Sequence, residues 1–257
     1  MGHLMEISVF CFGAIIGSFL NVCIYRMARD KSIVLPGSFC PSCEKPIKFY
    51  DNIPMISFIL LKGRCRHCST RISFRYPAVE AITAVLFVGL YLNLGFSVEL
   101  AALMLFLSLL IAISFIDLDF QIIPDILSIG GTVAGFGLSF LRTGFGFLDS
   151  LYGIALGGGV LYAIAMGYQL IARREGMGGG DVKLLAMIGA FCGIKGVVFS
   201  LMTGSLMGSL VGIPLMLMKR EGTKYAIPFG PFLSLGAAVY VFAGEVIVNR
   251  FLEFLLK

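Results

Sequence analysis

Two sets of aspartates lie at the ends of long apolar segments, where a charged side chain is costly and often functional. Asp117 and Asp119 end one apolar run and Asp125 opens the next, whereas Asp181 and Lys183 follow a glycine-rich loop. If the helices carrying Asp117 and Asp181 end at the same membrane surface, the two carboxyl groups lie at one depth and can meet. Close carboxylates do not readily ionise together, so the pair would share a proton, one group activating water while the other donates to a carbonyl. This pattern predicts aspartic-protease chemistry, with no metal in the site.

The residues around Asp181 have physical reasons of their own. Gly178 and Gly180 carry no side chain, so backbone or substrate can approach them closely. Lys183 would either bind phosphates of the inner leaflet or adjust the electrostatics of the aspartate pair, and the sequence leaves both open.

Structural roles are the alternative for each aspartate. Asp117, Asp119 and Asp125 can be helix-end charges in the headgroup region, and Asp181 can cap a helix N-terminus. For Asp119 this alternative is favoured, because two residues beyond Asp117 it points elsewhere on a helix. For Asp125 it carries weight, because the residue follows Pro124 at the start of an apolar run.

Four cysteines form a second motif: Cys40-Pro41-Ser42-Cys43 and Cys65-Arg66-His67-Cys68, separated by 21 residues. Two CxxC turns aim four thiolates at one point, which suits a tetrahedral structural Zn²⁺ site. Two disulfides are the alternative, and zinc is favoured if the loop faces the reducing cytosol. His67 is not expected to be a ligand.

The elements that must position these residues are membrane helices. Of 257 residues, 58% are hydrophobic and 14% charged, and the mean hydropathy is +0.94, whereas soluble domains are about 45–50% apolar and about 25% charged. We expect an all-α polytopic membrane protein with about eight transmembrane helices, each needing about 20 apolar residues. The expected spans are 6–28, 77–95, 98–118, 125–142, 148–172, 182–193, 195–218 and 228–251.

The basic residues predict the orientation of these helices, because cytosolic segments are enriched in Lys and Arg. Sixteen of the 20 fall on the side of the long loop between the first two spans, so we expect that loop and both aspartate-bearing helix ends in the cytosol and both termini outside it. The sixteen are Arg26, Arg29, Lys31, Lys45, Lys48, Lys62, Arg64, Arg66, Arg71, Arg75, Arg173, Arg174, Lys183, Lys219, Arg220 and Lys224; the four are Arg142, Lys195, Arg250 and Lys257.

The net charge of +5 is therefore explained by the basic residues expected on the cytosolic side of the membrane. A zinc ribbon that binds nucleic acid is a rival interpretation of the basic loop, but basic residues facing anionic lipid are favoured. We expect the lipid bilayer as a partner and no nucleic acid. Met1–Glu6 precede the first apolar run without a basic segment, so we expect no cleavable targeting sequence.

Taken in order, these motifs resemble the type IV prepilin peptidases, bacterial aspartic proteases of the GxGD type. The resemblance covers nearly the whole chain and includes both cysteine pairs; each motif alone is weak, but together they are specific. A presenilin-like protease would be expected to have Tyr before the first aspartate, where this chain has Ile116. The matching segments are Gly17–Val22, Asp51–Pro54, Arg75–Pro77 with Glu80, Ile116–Asp125, Gly176–Leu185 and Pro228–Pro231.

The resemblance implies a function and assigns roles. The catalytic pair maps onto Asp117 and Asp181, with Asp125 at a further acidic position of the family motif. Such enzymes cut the leaders of type IV prepilins and pseudopilins at the cytosolic face of the bacterial inner membrane, after the glycine that ends a short basic leader. An ion- or proton-coupled transporter with a zinc-stapled loop is the alternative, although its acids would be expected near the membrane midplane.

Family members with the four-cysteine loop are also implied to methylate the new N-terminal amine with S-adenosylmethionine. No dinucleotide-type GxGxxG is present to locate that donor. Asp51, Asn52 and Glu80 are candidates to contact substrate or donor, and a buried Glu80 paired with Arg75 is the favoured alternative for that residue. The expected division is 1–28 as the first helix, 29–76 as the cytosolic four-cysteine domain and 77–257 as a seven-helix peptidase domain.

Overall fold

The computed structural model of the chain describes residues 2–172, 178–219 and 228–255. It is 75% helical, and its described residues contain no β-strand, only two isolated bridges in the four-cysteine segment. Several residues used in the sequence argument lie outside the described residues: Arg173, Arg174, Gly176, Met177, Arg220, Lys224 and Lys257.

Among the described residues the elements are nine α-helices, a 3₁₀ turn at Phe49–Asp51 and a π turn at Tyr240–Gly244. The helices are α1 (Gly2–Met27), α2 (Ile56–Leu60), α3 (Arg75–Leu94), α4 (Val98–Phe120), α5 (Asp125–Ser139), α6 (Phe147–Ala172), α7 (Gly179–Lys219), α8 (Gly230–Val239) and α9 (Glu245–Leu255).

Five helical segments among the described residues are long and apolar enough to cross a membrane. They are His3–Met27, Arg75–Leu94, Val98–Phe120, Phe147–Leu170 and Gly179–Pro214. The segments Asp125–Ser139 and Gly230–Gly244 are apolar but shorter. The expectation of an all-α membrane protein is confirmed at this level, with fewer full-length spans than the eight expected.

The chain divides into two compact units, Met1–Leu100 and Ala101–Lys257. In the first, α1 and α3 pack with their backbones in contact. A Cβ added at Gly13 would lie 2.7 Å from Cα of Ala84, and one at Gly17 would lie 2.6 Å from Cα of Glu80. Two glycines four residues apart thus form the small-residue contact that lets membrane helices approach closely.

Asn21 joins the same two helices by a hydrogen bond. Its amide Nδ2 donates to the Tyr76 carbonyl at 3.0 Å and to the Gly17 carbonyl at 3.3 Å, and the residue is buried. A polar side chain inside hydrocarbon must find such partners. The prediction that Asn21 makes an interhelical hydrogen bond is confirmed.

In the second unit, α7 is one continuous element in sequence but two helical segments in space. At Gly193 the backbone has φ 64 and ψ −167, a conformation that essentially only glycine adopts. The carbonyls released by this break are satisfied by side chains: Ser150 donates to Ala190 at 2.9 Å and Arg142 to Phe191 at 2.7 Å. The break lies at the last residue of the expected span 182–193, next to the expected span 195–218.

The first segment of α7 packs closely on α6 through glycines. Gly153 faces Gly189 and Gly157 faces the Leu185 carbonyl, with no room for a Cβ at either contact. The second segment packs on α8, where a Cβ at Gly204 would lie 3.2 Å from the Leu233 nitrogen. These contacts hold the start of α7 and the start of α8 near the end of α4.

Candidate functional site

Asp117 lies in the last turn of α4 and is 5% exposed. Its Oδ2 accepts a hydrogen bond from the backbone N–H of Gly230, the first residue of α8, at 3.0 Å. A Cβ added at Gly230 would lie 2.7 Å from that oxygen. Only a glycine therefore brings a helix N-terminal N–H to this carboxyl group without a clash.

Asp181 lies in the first turn of α7. The turn is closed by a hydrogen bond from its own N–H to the Gly178 carbonyl at 3.2 Å. Gly180 packs on Ile123, whose Cβ would be 3.0 Å from an added Cβ, and Ile123 also lies against Gly230. The glycines of this loop thus allow the start of α7 to approach the α4–α5 connection.

One cavity of about 390 Å³ contains both aspartates. Asp117 lines it from α4 and Asp181 lines it from α7. Two carboxyl groups that share a cavity favour a state with one proton between them. This is the arrangement needed to activate one water and protonate one carbonyl.

Asp125 and Lys183 form an ion pair at the edge of the same cavity. Lys183 Nζ lies 2.6 Å from Asp125 Oδ1, and both side chains are substantially exposed. Asp125 is the first residue of α5, and the N-cap position is occupied by Pro124. Asp125 therefore lies in the first turn of the helix and is not its N-cap residue. Asp119 is exposed and does not line the cavity.

Gly230 and Ile123 contact the site although their sequence motifs predict no role for them. The signal for Gly230 was present in the Pro-Phe-Gly-Pro segment 228–231, because a glycine at the start of a helix has an N–H free to bind an anion. Nothing in the sequence indicated that Asp117 would be that anion, since 113 residues separate the two.

The four cysteines come together in two nearly identical turns. In the first turn the Cys40 N–H donates to the Lys45 carbonyl at 3.0 Å, and in the second the Cys65 N–H donates to the Thr70 carbonyl at 2.9 Å. The residue after each pair, Glu44 and Ser69, has φ 56. The same backbone path therefore presents two thiols from each turn.

The thiols fit a metal ion. The Sγ atoms of the cluster Cys40, Cys43, Cys65 and Cys68 all lie within 4.8 Å of one another, and Cys40 Sγ is 3.8 Å from Cys68 Sγ. A tetrahedral site with Zn–S bonds of about 2.3 Å requires S···S separations of about 3.8 Å, whereas a disulfide bond is about 2.05 Å. His67 is not part of the cluster, and all four cysteines are free of disulfides.

The electrostatics of the cluster also suit a cation. Hydrogen bonds with the Thr70 hydroxyl, 3.3 Å from Cys68 Sγ, with the Thr70 backbone and with the neighbouring thiols outweigh desolvation and lower the pKa of Cys68 to about 6. The Lys45 N–H lowers the pKa of Cys43, but desolvation and the neighbouring thiols raise it to about 11. Once one thiolate forms, a second beside it is unfavourable without a positive charge between them.

Asp51 is tied to the second cysteine turn. Arg66, between Cys65 and Cys68, binds both carboxylate oxygens, with Nε 2.7 Å from Oδ2 and Nη2 2.5 Å from Oδ1. The Arg66 hydrogen bond lowers the pKa of Asp51. This two-point contact fixes the 3₁₀ turn against the cluster, and Asn52 beside it is exposed.

Glu80 lies on α3 in the first unit and is buried. Its Oε2 accepts a hydrogen bond from the Met55 N–H at 2.7 Å, and the Ser18 side chain is a second partner. Met55 has φ 59, a backbone conformation that is unusual for a residue with a side chain. Glu80 thus holds the strained residue that precedes α2.

Comparison with known families matches the two units separately. Residues 11–94 match the model of the bacterial peptidase A24 N-terminal domain. Residues 104–213 match the model of the type IV leader peptidase family. The second match includes Asp117, Asp125, Asp181 and Lys183, and the first includes all four loop cysteines.

Relatives named prepilin leader peptidase/N-methyltransferase align with nearly the whole chain. The one from Aeromonas hydrophila is 35% identical over 95% of this chain and 92% of its own length. Those from Pseudomonas aeruginosa and Bacillus subtilis are 32% and 34% identical, over 94% and 96% of this chain and 91% and 98% of their own lengths. No solved structure matches the chain. These names give no support to a transporter.

Proposed function

The chain belongs to the type IV leader peptidase family, and from this premise we propose that it is a membrane aspartic endopeptidase that removes the leaders of type IV prepilins and pseudopilins. We further propose that it methylates the new N-terminus. The observation that carries the peptidase proposal is the shared cavity, which Asp117 and Asp181 line from two different helices.

The chemistry follows from the two carboxyl groups. One of Asp117 and Asp181, ionised, takes a proton from water, while the other, protonated, donates to the oxygen of the scissile carbonyl. The Gly230 N–H fixes the orientation of the Asp117 carboxyl group. Because the pair is coupled, the two titrations belong to the pair and not to either residue.

Replacing either aspartate tests the peptidase proposal. Asp117→Asn and Asp181→Asn each keep the side-chain shape but remove the acid, so each should abolish cleavage of a model prepilin. The measurement is mass spectrometry of the product N-terminus, which reports cleavage and methylation together. Thermal unfolding in detergent checks that the variants remain folded.

Asp119→Asn is the matched control, because Asp119 is on the same helix, is exposed and does not line the cavity. It should cleave at close to the unmodified rate. If Asp117→Asn or Asp181→Asn also cleaves at that rate, the assignment of the pair is overturned.

For the four-cysteine cluster we propose bound Zn²⁺, held by Cys40, Cys43, Cys65 and Cys68. When bound, the ion would supply structural cross-linking, because a segment of this size has little core of its own. The Arg66–Asp51 contact and the backbone turns described above would keep the thiols in place.

The methyl donor proposed for the second activity is S-adenosylmethionine, on the strength of the relatives' names. Asp51, Asn52 and Glu80 are proposed to lie near the substrate amine or the donor. Asp51 and Glu80 already have internal partners, which leaves the exposed Asn52 as the most accessible of the three.

For the topology we propose a multi-pass protein of the bacterial inner membrane with about eight spans. Support comes from the break at Gly193: 36 continuous residues would run about 54 Å, far more than the about 30 Å hydrocarbon core. The excess of basic residues supports a cytosolic position for the four-cysteine segment 29–76 and for the aspartate pair, with both termini outside the cytosol.

A further inference from the structure

The short helix α2 presents an apolar surface outward. Ile59 and Leu60 are 72% and 73% exposed, and Ile56 is also exposed. Together these three side chains form the α2 face. A soluble domain seldom leaves such a cluster in water, and clusters of this kind mark membrane or protein contacts.

The inner side of α2 is, by contrast, partly polar. The Ser57 hydroxyl donates to the Tyr50 carbonyl at 3.0 Å and accepts from the Ile53 N–H at 3.0 Å, and Ser57 is buried. Phe58 packs edge-on against Phe74, with ring centroids 6.3 Å apart. The helix is therefore fixed with its serine inward and its branched apolar side chains outward, the reverse of a helix on a soluble domain.

The depth of α2 follows from its contacts with α3. Met55, the residue before α2, donates its N–H to Glu80, and Glu80 is five residues beyond the start of the membrane-spanning helix Arg75–Leu94. Five residues correspond to a rise of about 7.5 Å. Phe74, which contacts Phe58, immediately precedes that helix. The start of α2 therefore lies at the level of the first turns of α3.

Charge around α2 matches an anionic surface. Residues 29–76 contain nine basic and three acidic residues, a net charge of +6, whereas the rest of the chain contains eleven and twelve, a net charge of −1. Lys62 and Arg64 follow α2 directly and are exposed. Basic side chains beside an exposed apolar helix are the pattern of a segment that lies in the interface of an anionic leaflet.

We propose that the α2 face lies in the headgroup layer of the anionic leaflet beside α3. Ile56, Ile59 and Leu60 contact the upper acyl chains, and Lys62 and Arg64 bind lipid phosphates. The α2 face then attaches the four-cysteine segment 29–76 to the membrane surface, in addition to the chain connections of that segment to α1 and α3.

The absence of tryptophan from the chain allows a direct test. Ile59→Trp introduces a single tryptophan on the α2 face, and Lys48→Trp introduces one at an exposed position of the same segment outside both cysteine turns. Each full-length variant is placed in nanodiscs of phosphatidylglycerol and phosphatidylcholine, with and without brominated acyl chains. A thermal unfolding midpoint in detergent close to that of the unmodified protein shows that each variant is folded.

We expect blue-shifted emission from Ile59→Trp and strong quenching by brominated lipid, with water-like, unquenched emission from Lys48→Trp. Adding Lys62→Gln and Arg64→Gln should reduce the quenching by brominated phosphatidylglycerol. Water-like emission from Ile59→Trp, equal quenching at both positions, or a blue shift that arises only when prepilin or a higher protein-to-nanodisc ratio is supplied would each overturn it.

Discussion

At the scale of single residues, Asp117 depends on a partner with no side chain. The Gly230 N–H reaches Asp117 Oδ2 at 3.0 Å only because no Cβ stands between the start of α8 and the carboxyl group. Misplacing a catalytic group by about 1 Å can cost about 10²-fold in rate. The glycine therefore acts as a positioning residue through its backbone.

Gly230→Ala should lower kcat for prepilin cleavage at least about tenfold, because its Cβ would displace the Asp117 carboxyl group. KM should change little, since Gly230 does not line the cavity. Steady-state kinetics on a model prepilin measure both. Gly137→Ala is the control, because a Cβ there meets nothing within 4 Å. An equal loss of kcat in Gly137→Ala would contradict the positioning role of Gly230.

The ion pair between Lys183 and Asp125 makes a different prediction. Both side chains are substantially exposed, so the pair contributes at most about 1 kcal/mol to stability. Asp125→Lys and Lys183→Asp should each reduce cleavage by disturbing the edge of the cavity, and the double exchange should restore most of it.

Cleavage rates of the two single variants and the exchanged variant form the measurement. Thermal unfolding should show only small changes in all three. If the exchanged variant is no better than the singles, Asp125 contacts the substrate or the catalytic water itself, and its role as a partner of Lys183 is refuted.

At the scale of the helices, the break in α7 allows Asp181 to begin a short helical segment that ends within the membrane domain. Gly193 supplies the unusual backbone, while Arg142 and Ser150 satisfy the carbonyls that the break exposes. Unsatisfied carbonyls in a lipid-surrounded bundle are costly, so these side chains stabilise the break.

Gly193→Ala should destabilise the protein by about 1–3 kcal/mol, because an L-residue at φ 64 and ψ −167 is strained. The measurement is the midpoint of thermal unfolding in detergent. Gly159→Ala, at a helical glycine with open space around it, should leave the midpoint unchanged or raise it. An unchanged midpoint for Gly193→Ala would show that the break does not need glycine.

At the scale of the whole molecule, the chain consists of two compact units, and each unit contains the match to one family model. The first contains the four-cysteine cluster and Glu80, and the second contains the aspartate pair. Each site is built from residues of its own unit. Damage to one site is therefore expected to affect one activity more than the other.

Cys→Ser at any of the four positions should remove bound zinc, which elemental analysis of the purified protein measures. Methylation should fall much more than cleavage, because the cluster belongs to the first unit and the aspartates to the second. Cys192→Ser is the control, since Cys192 is outside the cluster. Equal loss of both activities in a folded, zinc-free variant would contradict two separate sites.

The sequence by itself determined the class of the protein and the kind of chemistry, and it predicted the residues that are proposed to carry that chemistry. Hydropathy, CxxC spacing and aspartates at the ends of apolar runs are local properties, and each limits what its own segment can form. Asn21, for example, was predicted to bond between helices because an amide in hydrocarbon has few other choices.

The tertiary structure alone decided which distant groups meet. Gly230 donates to Asp117 across 113 residues, Lys183 reaches Asp125 across 58, and Met55 donates to Glu80 across 25. These contacts depend on how glycine-lined helices pack and where α7 breaks, which no local pattern specifies. The physical reason is that a hydrogen bond or ion pair has strict distance limits, and only packing of the helices brings such groups within them.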